Sequence, residues 1–506
     1  MGSHSSDIST TAGIGRSGFV AEHGLHTSEQ LAAAEEVLAR IDELGLRTIR
    51  VIVVDQHGQP RAKFLSPRAA TAAFTNGVDF SGAIYSLDTG NHVFPPAFAD
   101  GGGIGIEELT GFPDVVIVPD PLTFQVLPWA PDTGWVICDA YFSSGRPMPL
   151  DGRRLLRQQL DRLAARGLRY LSGLEVEFNI VRRTTPLIGL DRTGQPGPPP
   201  DVDVFQLGYQ YLSEVRMDSV IDTVTALRDG LDAVGLLPRS MEDEWGPGQM
   251  EFSLSPLEGL GSADAMVLFR SAVKQICSRR GLLASFMCWP HLPNFFPSGW
   301  HLHGSLLDGK GANVFASADE VLSPTARSYL AGVLEHATAM TPFATPTING
   351  IRRFRPYSFA PDRVAWAVEN RGALVRVQGG PGDSGTHLEN RLGEPAANPY
   401  LYLAADIAAG LDGIERELTP PDPIVGNPYE SDAPTLPATM GEALDALDGD
   451  AMYREQFGDG FVDYFLMMKR EEVTRAGEEA GGLLQSADDP DAASREWEMR
   501  EYFEFF

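Results

Sequence analysis

From residue 27 to 44 the apolar residues Leu31, Val37, Leu38, Ile41 and Leu44 recur near helical spacing. Thr27 with Gln30 three positions later has the form of a capping box, so a helix is expected there. The β-branched run over residues 49–54 reads as a strand ending in the turn Asp55-Gln56-His57-Gly58, and residues 46–130 read as a small β-rich unit. Residues 152–166 read as a helix leading into Gly173-Leu174-Glu175-Val176-Glu177-Phe178. Helices are also expected over 215–234 and 263–279, with a strand, tight turn and strand around 244–251. The Pro- and Gly-rich stretch 184–201 reads as a surface loop.

The Glu175/Glu177 stretch changes the picture. In a strand, residues i and i+2 share one face, so both carboxylates project to the same side of an apolar run. Two unpaired carboxylates there would be costly, which calls for a cation beside them, and hard divalent ions take carboxylate ligands. A solvated acidic strand face is the plainer alternative. Further acids and imidazoles follow in order. Glu244 and Glu251 flank Trp245-Gly246-Pro247-Gly248-Gln249-Met250, His301 and His303 repeat the i, i+2 spacing, and His387-Leu388-Glu389-Asn390-Arg391 comes next.

These motifs, with Gly393-Glu394-Pro395-Ala396-Ala397-Asn398-Pro399-Tyr400, resemble the glutamine synthetase family over roughly residues 30–506. The resemblance implies an α+β chain, with an N-terminal β-grasp domain over 27–140 and a catalytic domain with a curved antiparallel sheet over 141–506. It also implies amide synthesis in which ATP, as co-substrate, phosphorylates a carboxylate and an amine displaces phosphate. Two to three Mg²⁺ (or Mn²⁺) ions per site are implied, one held by Glu177, Glu244 and Glu251 and another by Glu175, His301 and Glu389. His303 and Ser305 match the strand along the nucleotide. Arg353 matches the arginine that grips the α-carboxylate of glutamate, Arg371 and Arg376 match arginines near the phosphates, and Arg391 matches one beside the γ-carboxyl group. Arginine suits these places because its planar fork donates two parallel hydrogen bonds.

The chain departs from the family pattern where ammonium is bound. Ser81, within Phe80-Ser81-Gly82-Ala83-Ile84, stands where an aspartate is expected. Phe359, six residues after Arg353, stands where a glutamate is expected. An ammonium ion needs an anionic cage and a base, and an apolar or aromatic amine suits Ser and Phe better. Phe296-Pro297-Ser298-Gly299 replaces a segment that helps to hold glutamate, and His387 stands where an arginine is common.

Composition narrows the field. The chain has 506 residues, 43% of them hydrophobic, and a net charge of −29, which argues against nucleic acid as a partner. No apolar run is long enough to span a bilayer, and Cys138, Cys277 and Cys288 read as reduced thiols of a cytoplasmic protein. Residues 1–26 read as a cloning tag and a polar, disordered tail rather than a signal peptide. The expected function is ATP-dependent formation of a γ-glutamyl amide from glutamate and an organic amine, in a ring-shaped homo-oligomer of two stacked hexamers. An ammonia-dependent glutamine synthetase, a ligase for another carboxylic acid and a non-catalytic structural relative are the alternatives.

Overall fold

The β-branched run does form a strand, Thr48–Val54, in a six-stranded mixed sheet. The sheet order is Pro60–Leu65, Thr48–Val54, Thr133–Tyr141, Asp114–Pro119 and Val78–Ser81, with Gln125–Val126 paired to the third. The first two strands are antiparallel, and Thr48–Val54 runs parallel to Thr133–Tyr141. Helix Ser28–Glu43 carries both halves of the Thr27 capping box and buries Ala34, Val37, Leu38 and Ile41. The computed structural model describes residues 14–185, 189–480 and 492–506.

Two expectations need correcting. Residues 14–26 are not a tail: they include a short helix, Phe19–Glu22, whose Val20 is buried with Val116, Val118 and Tyr141. The apolar residues Phe19, Val20 and Leu25 cover part of the small sheet that would otherwise face water. Residues 1–13 lie outside the described residues. The helix expected over 215–234 is two helices, Glu214–Asp218 and Ile221–Ala233. At the break the Ser219 hydroxyl donates to the Arg216 carbonyl at 2.6 Å, a local bond that competes with the helical ladder. Within the Pro/Gly-rich loop, residues 186–188 lie outside the described residues.

A ten-stranded sheet forms the second layer. Its order is Trp366–Val368, Val375–Gln378, His387–Asn390, Trp300–Leu307, Arg169–Arg183, Gln249–Leu254 and Pro238–Asp243, and three short strands also pair with Arg169–Arg183. All the pairings between neighbouring long strands are antiparallel except the first. Along Arg169–Arg183 buried and half-buried positions alternate from Tyr170 to Phe178. Leu174, Val176 and Phe178 point to the core, where Phe178 meets the rings of Phe252, Phe269 and Phe286 at 5.4, 5.8 and 5.2 Å. Each such side chain contributes about 1.5–3 kcal/mol by leaving water. The same alternation turns Glu175 and Glu177 to the opposite face.

Buried polar contacts join the two sheets. Arg153, on helix Gly152–Ala164, donates to Asp139 of the small sheet at 2.7 Å and to Asp120 at 2.8 Å. It also donates to Asp264 of helix Leu260–Ser278 at 2.9 and 3.0 Å. Arg270 of the same helix donates to the Gly58 carbonyl at 2.8 Å, and Asn398 donates to the carbonyls of Asp55 and Gln56. The three cysteines are buried and unpaired. Among the described residues no helix is long and apolar enough to cross a membrane.

Removing Arg153 takes a buried guanidinium from three carboxylates, Asp120, Asp139 and Asp264, of which only Asp139 keeps an arginine, Arg157. Arg153→Ala should cost about 3–5 kcal/mol, the usual loss when one side of a buried ion pair is deleted. It should lower the midpoint of the first urea transition; an unchanged midpoint would mean that the sheets are held together elsewhere.

Candidate active site

The register of the large sheet gathers the acids and histidines into one band. Glu251 lies opposite Glu177, and His301 lies opposite Glu175 on the other side of the same strand. One strand farther, His303 lies opposite Glu389, and beyond it Glu389 lies opposite Arg376. Glu244 follows the end of Pro238–Asp243 and enters the turn that returns to Gln249–Leu254. Gly248 permits this turn: its φ is +65°, and a Cβ there would lie 2.2 Å from the Ile180 carbonyl.

The side chains converge. His301 Nδ1 is 2.6 Å from Glu175 Oε1 and 3.7 Å from Glu389 Oε1, and His303 Nε2 is 3.3 Å from Glu175 Oε2. Two groupings are close enough to share an ion: Glu175, Glu251 and His301, and Glu175, His303 and Glu389. The sequence reading grouped these residues differently and gave His303 to the nucleotide. In the structure the His303 ring is engaged by Glu175 and by His387 at 3.0 Å. Glu177 accepts from the backbone N–H of Gly299 at 3.0 Å and from Gln249 at 3.2 Å. Ser305 is buried two positions beyond His303 on the same strand.

The arginines divide in two. Arg391 and Arg376 both pair with Glu389, Arg376 at 3.1 Å, and Arg376 also pairs with Glu369 at 2.5 Å. Arg371 is exposed, in the turn between Trp366–Val368 and Val375–Gln378. Arg353 is set deeper than its expected role: it is 2% exposed and donates to the carbonyls of Leu392 at 2.8 Å and Arg391 at 2.7 Å. The backbone carbonyls just past the end of His387–Asn390 draw it inward, that of Leu392 accepting also from the Thr345 hydroxyl at 2.7 Å.

Aromatic side chains rim this face. Trp245 and Phe296 meet edge to face at 6.2 Å, and Tyr211 lies against Trp245 at 6.2 Å. Phe359 is 70% exposed, with φ +60° in the left-handed region, and its carbonyl accepts from Arg391 at 3.1 Å. A bulky residue there is uncommon and strained, as functional loops often are. Ser81 is exposed on the small sheet, where its hydroxyl accepts from the Ala83 N–H and caps a short turn.

The glutamine synthetase catalytic-domain model matches residues 149–481. The γ-glutamylanilide synthase of an Acinetobacter species is 44% identical over 96% of this chain and 98% of its own length. The glutamine synthetase of Pyrococcus abyssi is 30% identical over 90% and 96%. This chain belongs to the glutamine synthetase family. Among solved structures, a GmaS/ADP complex superposes with a TM-score of 0.73 at 27% identity, covering 87% of this chain and 96% of that one. Family membership brings with it the use of ATP and of a divalent metal ion.

The donor set of this glutamine synthetase relative fits such an ion. Burial and then the neighbouring carboxylates Glu175 and Glu177 push Glu251 up to about 10, and burial and Glu177 push Glu244 up to about 8. Burial also raises Glu177. Burial pushes against ionisation of Glu175 too, but the hydrogen bonds from His301 and His303 outweigh it and hold that carboxyl low. Glu389, with Arg391 outweighing burial, is held at about 2. The band thus holds more acid than its own cations neutralise, as a cation site requires. When bound, a divalent ion supplies neutralisation of phosphate charge. Glu175, Glu251, His301, His303, Glu389, Glu244 and Glu177 are the residues that could hold it.

Several participants were not singled out from the sequence. Glu242 lies opposite Glu251 and adds its charge to Glu244 and Glu251. Its spacing to Glu244 repeats the i, i+2 signal of Glu175 and Glu177 and could have revealed it. Gln249, Glu369 and Gln378, the last donating to Glu389 at 2.9 Å, carry no such periodic signal, being known by what they touch.

A carboxyl whose pKa is raised on folding stabilises the protein fully below about 4.5 and loses that contribution as pH rises toward its folded value. In metal-free protein the Tm of Glu251→Gln should therefore gain on wild type as pH rises from 5 to 9. Mg²⁺ at 100 times its Kd should add about 2.7 kcal/mol to wild type and clearly less to the variant. Scanning fluorimetry with EDTA and with Mg²⁺ reads both, and parallel pH curves would remove Glu251 from the cation site.

Proposed function

We propose that this chain is an ATP-dependent ligase that joins the γ-carboxyl group of glutamate to an organic amine, apolar or aromatic, through γ-glutamyl phosphate. The observation that carries the reading is Phe359. Its main-chain carbonyl accepts from Arg391 at 3.1 Å, so a residue with an exposed apolar side chain occupies the position beside that arginine where an ammonia-using site needs a carboxylate. A protonated amine has a pKa of roughly 10 and needs an anionic wall to be held and deprotonated. Exposed Phe359, and the exposed pair Trp245 and Phe296, offer an uncharged amine ring faces to pack on. Similarity to an anilide synthase at 44% identity supports the same class of acceptor.

In this reading the γ-carboxylate attacks the terminal phosphoryl group of ATP and ADP leaves. Arg371, Arg376 and Arg391 neutralise the transferring group, because phosphoryl transfer depends mainly on position and charge. The amine nitrogen then attacks the acyl carbon, and phosphate departs as the nitrogen loses a proton. Glu177 and Arg353 form the back of the acid site, and Arg353 takes the α-carboxylate by giving up one of its two carbonyl partners. Ser305 lies along the nucleotide. Two to three Mg²⁺ or Mn²⁺ ions per site, a dodecamer of two hexameric rings in which Ser81 faces a neighbouring site, and a cytoplasmic location complete the proposal.

A phosphate-release screen with glutamate, ATP and Mg²⁺ tests it. kcat/KM should be higher for at least one aromatic or apolar amine than for ammonium, and ammonium emerging as the best of a broad panel would overturn the reading. Phe359→Glu should shift selectivity toward ammonium by about one to two powers of ten, roughly 1.4–2.8 kcal/mol of transition-state energy. Unchanged selectivity in that folded variant would place the amine elsewhere.

A further inference from the structure

The family model stops at residue 481, yet helix Ala492–Tyr502 lies beyond it and buries one face, with Ser494, Trp497, Glu498, Met499, Glu501 and Tyr502. Glu498 of this helix is 0% exposed and engages two separate loops. Its carboxylate accepts from His291 Nε2 at 2.7 Å, from Asn349 Nδ2 at 2.7 Å and from Arg352 Nε at 2.7 Å. Burial alone would keep this carboxyl protonated, but the hydrogen bond from His291 and the charge of Arg352 outweigh it.

The loops that it joins are those that carry the proposed substrate residues. His291 belongs to the segment 289–296 that ends in Phe296. Trp289 in that segment exchanges hydrogen bonds with the Asn349 side chain at 2.8 and 3.0 Å. Arg352 and Asn349 belong to the segment 349–359, which holds Arg353 and ends in Phe359. Arg355 of the second segment stacks over the Trp289 ring at 4.1 Å. The helix itself is fixed from behind. Tyr502 donates to Glu472 at 2.5 Å and Trp497 to Glu479 at 3.0 Å, while Lys274 donates to the carbonyls of Glu504 and Phe506 at 2.8 and 2.7 Å.

We propose that Glu498 is a positioning residue: one buried carboxylate of the C-terminal helix sets the spacing between the Phe296 and Phe359 loops and so the binding of acid and amine. It touches neither substrate. The inference rests on the proposed function for the identity of the substrates. The nucleotide strand, Trp300–Leu307, is not among its partners, so ATP binding should not depend on it.

Glu498→Gln keeps the shape of the side chain but replaces one acceptor oxygen with a donor that faces other donors. KM for glutamate and for the preferred amine should each rise about tenfold, with KM for ATP and kcat within about twofold of wild type. Arg352→Lys should give the same split, and it decides the matter if Glu498→Gln does not fold. Unchanged KM values, or an equal rise in KM for ATP, would reduce Glu498 to a general structural role. Wild type measured alongside separates the two ideas: no turnover with glutamate and any amine removes the function reading, not this one. In that case hydrogen exchange decides. Glu498→Gln should speed exchange by about tenfold in both 289–296 and 349–359, and unaltered exchange in either loop would overturn the proposal.

Discussion

Crowding of like charge on one sheet face is the constraint around which this molecule is built. Glu175, Glu177, Glu244, Glu251 and Glu389 share a band only a few strands wide, and Coulomb repulsion at such distances is strong wherever water is excluded. Hydrogen bonds from two histidines and the charges of two arginines offset part of it, and protonation of the most crowded carboxyls offsets more. The sheet tolerates the arrangement because its opposite face is an apolar layer. There Leu174 and Val176 are buried and Phe178 meets Phe252, Phe269 and Phe286. The binding face is unfavourable by itself and the packing face compensates.

How much of this was legible in the sequence follows from how local each signal is. The strand at Glu175 and the helix at Thr27 were readable because alternation and capping are written within a few residues. The acid and histidine set was readable because its members recur in order, although which carboxyl meets which imidazole depends on rotamers and register. The break near Ser219 was missed because one hydroxyl bonding to Arg216 overrides an otherwise helical pattern. The residues before Thr27 look like a tail until the apolar patch at Val116 and Val118 is seen, some ninety positions away. The inward posture of Arg353 depends on the main-chain carbonyls of Arg391 and Leu392, which no local pattern announces.

The small sheet and the large one meet through buried charge and backbone hydrogen bonds rather than through a broad oily seam alone. Arg153 reaches acids from both layers, while Arg270 and Asn398 hold the turn at Asp55–Gly58 by its carbonyls. Such contacts demand correct geometry, because a displaced partner leaves an unsatisfied buried group. The acid band therefore rests on a support whose orientation is specified, not merely compacted. The same logic operates on a smaller scale at Gly299, where a Cβ would lie 2.9 Å from His301 and 3.3 Å from Arg353. A larger residue would have to push one of these side chains aside, whereas glycine lets the backbone pass between them and donate to Glu177.

The three cysteines sit in three different layers. Cys138 lies in the strand Thr133–Tyr141 of the small sheet, and Cys277 in the helix behind the large one. Cys288, beside the acid band, donates through its thiol to the Ser298 carbonyl at 3.2 Å. Burial raises all three thiols, Cys277 to about 12, so the reactive thiolate is suppressed while the fold is closed. Alkylation then becomes a clock with three hands. Each thiol reacts only when its own layer opens, so the order of labelling on native protein reports which layer breathes first, with no probe added to the surface.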